Sequence, residues 1–340
     1  MSGLVSRLLD GGVLEEAEAF ELFAELTDSA TPAVVVGAAL GALRLRGPRP
    51  GEVRGLARAL RAAARPCRIA STRPLVDVVG TGGDASSSFN LSTGAALLAA
   101  AAGAGVAKHG TGAQSGRAGS ADLVAALGLP LALGEQEARD LFEATGFTFL
   151  HAPHYHPALA TVGPLRRALG TRTVFNLLGP LANPAAPPFA VVGAWSLPAA
   201  RLLAEALSGL PIDRAFVIHG LNGWDEPTPI GPYVLLEVRP GWVGASERDP
   251  IDLGLARCDP AALTGGGAAE NAAALTRVFE GERGAHRDAL LLGAALALEV
   301  SGATRSAAEG LERAAAAIDS GGAASLLTSV ARFRPRRAHA

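Results

Sequence analysis

The segment from Asp77 to Thr93, DVVGTGGDASSSFNLST, concentrates residue types that bind phosphate. Gly80, Thr81, Gly82 and Gly83 follow a β-branched apolar run, and successive glycines let backbone N–H groups converge because they tolerate positive φ. Asn90, Ser92 and Thr93 then fall at the mouth of an alanine-rich helical stretch, where hydroxyls and the positive end of the dipole favour an anion. A pyrophosphate fits such a cradle. Taken alone, a GxGG string is more often a plain turn. Neither a Gly-Lys-Ser/Thr phosphate loop nor a GxGxxG dinucleotide fingerprint is present, which argues against a nucleoside triphosphatase or a dehydrogenase.

A second group of chemically competent residues is the adjacent pair Asp225 and Glu226, after Gly223 and Trp224. Neighbouring carboxylates repel unless a cation neutralises them, and an oxygen-only ligand set suits Mg²⁺ bridging to substrate phosphates. In isolation such a pair is more often a solvated loop. Lys108 stands between an apolar strand and a glycine-rich loop, where it can offer a point charge to a phosphate.

The elements that must position these groups alternate. Helical spacing of apolar residues runs from Leu4 to about Ala64, broken by Pro48 and Pro50, and a linker is expected over Arg65 to Pro74. PLVDVVG at 74–80 reads as a buried parallel strand, 93–102 as a helix, 105–108 as a strand and 121–127 as a helix. Further strands are expected at 147–151, 189–194, 215–219 and 234–238, with a helix at 197–208 and a mainly helical end from 268 to 327. This order predicts an α/β fold: a small helical domain over 1–70 and a larger α/β domain over 71–340 with a mainly parallel central sheet.

Composition narrows the partners. A chain of 340 residues that is 49% hydrophobic can bury a large core. Its 30 basic and 32 acidic residues nearly cancel, so no global field draws it to nucleic acid or to an anionic membrane. Apolar runs such as 94–107 and 289–298 fall short of a bilayer span and read as buried helices. The opening MSGLVSRLLDGG lacks the pattern of a secretory signal, and Cys67 and Cys258 form no disulfide framework or zinc spacing, so a reducing cytoplasm is expected.

Several segments in order carry a resemblance: the Asp77–Thr93 string, AKHGTGAQSGRAGSADLVAALG at 107–128, FLHAPHYHPAL at 149–159, GPLRRALGTRTVFNLLGPLANPA at 163–185, HGLNGWDEPTPIGP at 219–232, and the terminal ENAA, HRDALLL and AIDSGGA pieces. Together they resemble the anthranilate phosphoribosyltransferase family over nearly the whole chain. The resemblance implies a nucleoside phosphorylase/phosphoribosyltransferase-like fold, with helical-domain segments inserted near 163–187 and a homodimer formed through the helical domain. It implies Mg²⁺-dependent transfer from phosphoribosyl pyrophosphate to the amine of anthranilate. Gly80, Thr81, Gly82, Gly83, Asp84, Asn90, Ser92, Thr93, Lys108 and Ser120 would bind the donor. Ser92, Asp225 and Glu226 would hold the metal, and Gly80, His109, Thr111, His156 and Arg166 would face the acceptor, Arg166 meeting its carboxylate. No covalent nucleophile is implied.

The chain departs from the family pattern on the acceptor and phosphate loops. Thr111 and Gly112 stand where Asn and Arg are usual, Ser115-Gly116 where two serines are common, Trp224 for a smaller aliphatic residue and Tyr233 for a threonine. Gln114 and Arg117 are the residues available to compensate. Donor chemistry is therefore read more firmly than acceptor identity, with another aromatic amine or carboxylate as the alternative acceptor. A pyrimidine nucleoside phosphorylase and a non-catalytic nucleic-acid-binding relative are the rival readings. The GTGGD string and the acid pair weigh against the first, and near-zero net charge against the second.

Overall fold

The computed structural model describes residues 3–82, 88–113 and 117–334. Four helices come first: α1 (Gly3–Leu9), α2 (Glu16–Thr27), α3 (Ala33–Arg46) and α4 (Pro50–Ala62). The α/β part follows as β1 (Leu75–Gly80), α5 (Leu91–Ala101), β2 (Gly105–Gly110), α6 (Ser120–Ala126), α7 (Glu135–Thr145) and β3 (Phe147–His151). Three helices interrupt it, α8 (Ala152–Tyr155), α9 (Leu159–Leu169) and α10 (Phe175–Leu178). The sheet resumes with β4 (Phe189–Gly193), α11 (Leu197–Ser208), β5 (Arg214–Gly220), β6 (Tyr233–Arg239) and β7 (Trp242–Arg248). The chain ends on α12 (Ala268–Phe279), α13 (Ala285–Val300), α14 (Ala307–Asp319) and α15 (Gly322–Arg332).

The seven strands form one sheet in the order β3-β2-β1-β4-β5-β6-β7. The first five are parallel, and β6 and β7 close one edge as an antiparallel hairpin. β1 sits where the order reverses, β2 and β3 running away on one side and β4 and β5 on the other. Ligands of open α/β sheets bind at the carboxyl ends of the strands at such a switch point.

Successive side chains of each strand face opposite sides, and the two faces bury different cores. Val76, Val78, Phe216, Ile218 and Leu235 pack with α5 and the buried helix α13. Val79, Val192, Val217, Leu236 and Val238 pack on the other side with α11. That second core runs without a break into α1–α4 and takes in Val162, Phe175 and Leu178 of α9 and α10. The N-terminal helices are thus seated on one face of the sheet, and the 159–178 helices belong to the same apolar layer. β7 is the strand the sequence pattern did not reveal, because as an exposed edge strand it carries no alternating buried face.

Candidate active site

The strand ends at the switch point are built from two glycines in register. Gly80 of β1 pairs with Gly193 of β4. A Cβ on Gly193 would fall 1.6 Å from the Asp225 carbonyl oxygen, and one on Gly80 would fall 2.9 Å from Asp225 Oδ2. The missing side chains therefore open the slot in which Asp225 is buried. Gly82 follows with φ of +64°, the left-handed conformation expected of this loop. Its N–H donates to Asp225 Oδ2 at 2.7 Å. The Ser92 N–H, in the first turn of α5, donates to Glu226 Oε1 at 3.2 Å. The acid pair from the β5–β6 connection and the cradle amides, more than 130 residues apart in sequence, thus meet directly.

Thr81 is locked into the same strand end. Its N–H donates to the Gly193 carbonyl at 2.9 Å, and its Oγ1 accepts the Trp195 N–H at 3.2 Å. Asn90 lies at the N-terminus of α5 and makes no side-chain cap there; its carbonyl starts the helix while its amide reaches outwards. Thr93 is buried, with its Oγ1 unpartnered. Gly83 and Asp84, and Gln114, Ser115 and Gly116 of the second loop, lie outside the described residues. That second loop is tied at its ends: Ser120 Oγ donates to the Thr111 carbonyl at 3.1 Å, and Asp122 Oδ2 accepts the N–H groups of Ala113 and Gly119 at 2.9 and 2.8 Å.

Lys108 is only 1% exposed, unlike most lysines, which are solvated surface charges. Its Nζ donates to the Val78 carbonyl, beside Asp77. Burial pushes the ammonium pKa down, while Asp77 and Glu226 push it back up. Burial likewise lifts the Asp77 carboxyl to about 6, against the pull of Lys108, Asn183 and the His109 N–H. Asp77 Oδ1 accepts that N–H at 3.2 Å and Oδ2 accepts Asn183 Nδ2 at 2.8 Å, which also donates to the Ala107 carbonyl at 2.8 Å. Asp77 and Asn183 were not singled out in the sequence. A carboxylate inside an otherwise apolar strand was the available signal for the first.

On the other side of β2 the site turns neutral. His109 Nδ1 lies 3.2 Å from the Gly179 carbonyl, and its ring meets that of His156 edge-on at 5.0 Å. Burial holds His109 down to about 3 and His156 to about 4, so both imidazoles are uncharged near neutrality. Arg166, on α9, lies over the Phe175 ring at 5.5 Å with Nη2 at 3.5 Å from Asn176 Oδ1. Trp224 and Tyr233, the two bulky departures in the acid-pair segment, are buried in the α5/α13 core.

The donor set fits Mg²⁺. It consists of two adjacent carboxylates and a serine at a helix N-terminus, all oxygen ligands, and no cluster of three or more His, Cys, Asp and Glu occurs among the described residues. That is the pattern of a cation held by one or two carboxylates and completed by substrate oxygens, in place of an all-protein cage.

With this strand-end site at the switch point and a helical layer over one face of the sheet, the chain belongs to the glycosyl transferase class, as two family models show. Residues 2–64 match the family model described as the glycosyl transferase family, helical bundle domain, and 72–324 the one described as the glycosyl transferase family, a/b domain. The chain is 43% identical to the anthranilate phosphoribosyltransferase of Desulforudis audaxviator over 98% of its length and 96% of that protein. It superposes on the crystal structure of the Thermus thermophilus anthranilate phosphoribosyltransferase with a TM-score of 0.90 at 43% identity, covering 97% of this chain and 98% of that one. The Saccharomyces cerevisiae enzyme, solved in complex with PRPP and Mg and also with 4-fluoroanthranilate, matches with a TM-score of 0.87 at 26% identity over 97% of both chains in the first of these complexes. The chain belongs to the anthranilate phosphoribosyltransferase family.

Proposed function

We propose that this protein transfers the phosphoribosyl group of phosphoribosyl pyrophosphate to the amine of anthranilate, releasing pyrophosphate in tryptophan biosynthesis. The observation that carries the reading is the meeting of Asp225 and Glu226 with the Gly82 and Ser92 amides at the switch point. Relatives matched end to end bear this activity in their names, and one is solved with PRPP and Mg.

Ser92, Asp225 and Glu226 would hold Mg²⁺, which when bound neutralises charge on the leaving pyrophosphate. The Gly82 and Ser92 amides, which grip the carboxylates here, are also the donors for which an anionic pyrophosphate competes. Gly80, Thr81, Gly83, Asp84, Asn90, Thr93, Lys108 and Ser120 complete our donor shell. As the bond from the anomeric carbon to pyrophosphate breaks, that carbon gains oxocarbenium character and the anthranilate nitrogen bonds to it from the opposite face, its displaced N–H proton leaving with the pyrophosphate. Arg166 orients the acceptor carboxylate, since a planar guanidinium pairs with it bidentately. Gly80, Thr111 and the neutral rings of His109 and His156 line the acceptor side without adding a charge that would compete with Arg166. Positioning in a dry seam supplies the rest of the acceleration.

We assign residues 1–70 and the 163–187 insertion to a helical domain and the remainder of 71–340 to the donor-binding domain. A homodimer forms through the helical domain, where Val34 is 77% and Leu45 89% exposed and Phe20 also shows its ring. We place the protein in the cytoplasm; no helix of the described residues is long and apolar enough to cross a membrane.

The test is pyrophosphate release from phosphoribosyl pyrophosphate with Mg²⁺, with and without anthranilate. Release should require anthranilate, and the Asp225→Asn/Glu226→Gln double variant should lower it by about 1,000-fold. Donor turnover that survives metal removal and the double substitution would overturn the reading. Turnover with a different aromatic amine alone would keep the donor chemistry and replace the acceptor.

A further inference from the structure

The end of the donor loop is held by a segment far along the chain. Phe89 N–H donates to the Leu263 carbonyl at 3.0 Å, and Ser88 and Thr264 form an isolated antiparallel bridge. A Cβ on Gly265 would fall 2.7 Å from both Phe89 N and Ser88 O, so the two backbones touch only because Gly265 has no side chain. The Phe89 ring lies 4.5 Å from that of His286 in α13. The C-terminal helices, far away in sequence, thus grip this loop.

One side chain in that grip carries directional information. Asn271, in the first turn of α12, is 3% exposed. Its Oδ1 accepts the Gly266 N–H at 2.7 Å, and a backbone N–H can only donate, so the amide orientation is fixed. Its Nδ2 must then point the other way, and it donates to Asn90 Oδ1 at 2.8 Å. Asn90 is oriented in turn, and its Nδ2 donates to the Ala118 carbonyl at 2.9 Å. Ala118 belongs to the second loop, next to the Gly119 N–H that Asp122 holds. A single chain of amides, each set by the one before, therefore runs from α12 through the β1–α5 loop to the β2–α6 loop.

We propose that Asn271 is a positioning residue for the phosphoribosyl pyrophosphate site, fixing the spacing of its two phosphate loops through the amide orientation of Asn90. This rests on the donor reading above and deepens it. Asn271 touches no reacting atom; it acts through Asn90, a member of the donor shell. The relay is polar and not merely space-filling, and that distinction is measurable. A carboxylate has no N–H to give. In Asn271→Asp one oxygen keeps Gly266, and the other opposes Asn90 Oδ1. If Asn90 turns over to satisfy it, its oxygen faces the Ala118 carbonyl instead. Either way one buried contact becomes acceptor against acceptor. In Asn271→Ala the relay is cut, but Asn90 can keep its bond to Ala118.

The near-isosteric Asp variant should consequently be the worse of the two. Steady-state assays of the full-length protein should give a donor KM raised about tenfold in Asn271→Asp and about threefold in Asn271→Ala, with the anthranilate KM changed by less than about twofold in both. A packing role predicts the reverse order, Ala worse than Asp, and that order overturns the proposal, as do equal shifts in both KM values. Amide hydrogen exchange supplies a second reading that needs no turnover. Asn271→Ala should speed exchange in peptides covering 88–90 and 117–121 together, and loosening confined to α12 would also overturn it. If the Asp variant does not fold, the exchange result on the Ala variant decides. Absence of donor turnover in the unsubstituted protein would count against the assigned reaction, while the exchange experiment would still decide the relay.

Discussion

The two halves of the site are held in opposite ways. On the donor side, charged groups meet backbone: two carboxylates take amides from a strand end and a helix N-terminus, and glycines at Gly80 and Gly193 make room for them. On the side we assign to the acceptor stand Arg166 of α9, over the Phe175 ring, and the two buried, uncharged imidazoles of His109 and His156. Backbone donors depend on no side chain and are placed by the end of β1 and the first turn of α5. Side chains on a separate layer can be exchanged and can shift with it. The donor half should thus tolerate almost no alteration, and the acceptor half should respond in a graded way. The sequence departures follow this contrast only in part: the glycine string and acid pair stand unaltered and Thr111 and Gly112 depart on the loop assigned to the acceptor, but Gly116 departs on the phosphate loop and Trp224 beside the acid pair.

That contrast can be broken most directly at Gly193. In Gly193→Ala the added methyl collides with the Asp225 backbone, which must move because neither neighbour is a flexible side-chain tip. Turnover should fall at least about 100-fold, with donor binding weakened; near-normal pyrophosphate release would show that the slot is not rigid. A smaller effect is expected at His156, read as stability. Its pKa in the fold is lowered from 6.5 to about 4 by burial, so between these values the unfolded chain binds a proton that the native chain refuses. The associated stability is complete above pH 6.5 and is lost as pH falls toward 4. Between pH 7 and pH 5 the protein should lose about 2 kcal/mol more than a His156→Gln variant in urea titrations. Parallel pH dependence of the two would mean that the ring is not buried in its neutral form. The mildest change is Arg166→Lys, which keeps the charge but not the fork. It should raise the anthranilate KM about tenfold and leave the donor KM unaltered. A donor-side effect of equal size would erase the distinction between the halves.

Much of this was legible in the residues. Strand 147–151 and helix 197–208 stand where the apolar pattern put them, because both are bounded by strong turn signals and buried on a regular period. The β6–β7 hairpin edge was not, since β7 has no buried face to imprint a pattern. Within the site, glycine spacing and the acid pair stood out because those residue types are unusual in such company. Asp77, Asn183 and Asn271 did not, because a buried amide or carboxylate is marked only by its partners. Asn183 meets Asp77 across 106 residues, and Asn271 meets Asn90 across 181.

The sequence by itself determined the alternation of elements, a glycine-rich loop suited to phosphate, an adjacent acid pair whose oxygens suit Mg²⁺, and the near-absence of net charge. These follow from local conformational preference and from chemistry that each residue carries alone. Only the tertiary structure decided that the acid pair sits on the Gly82 and Ser92 amides, that Lys108 is buried against Val78 and Asp77, and that the C-terminal helices hold the donor loop. Those are contacts between distant segments, and no local preference specifies them; they are settled when the two cores close on the faces of one sheet.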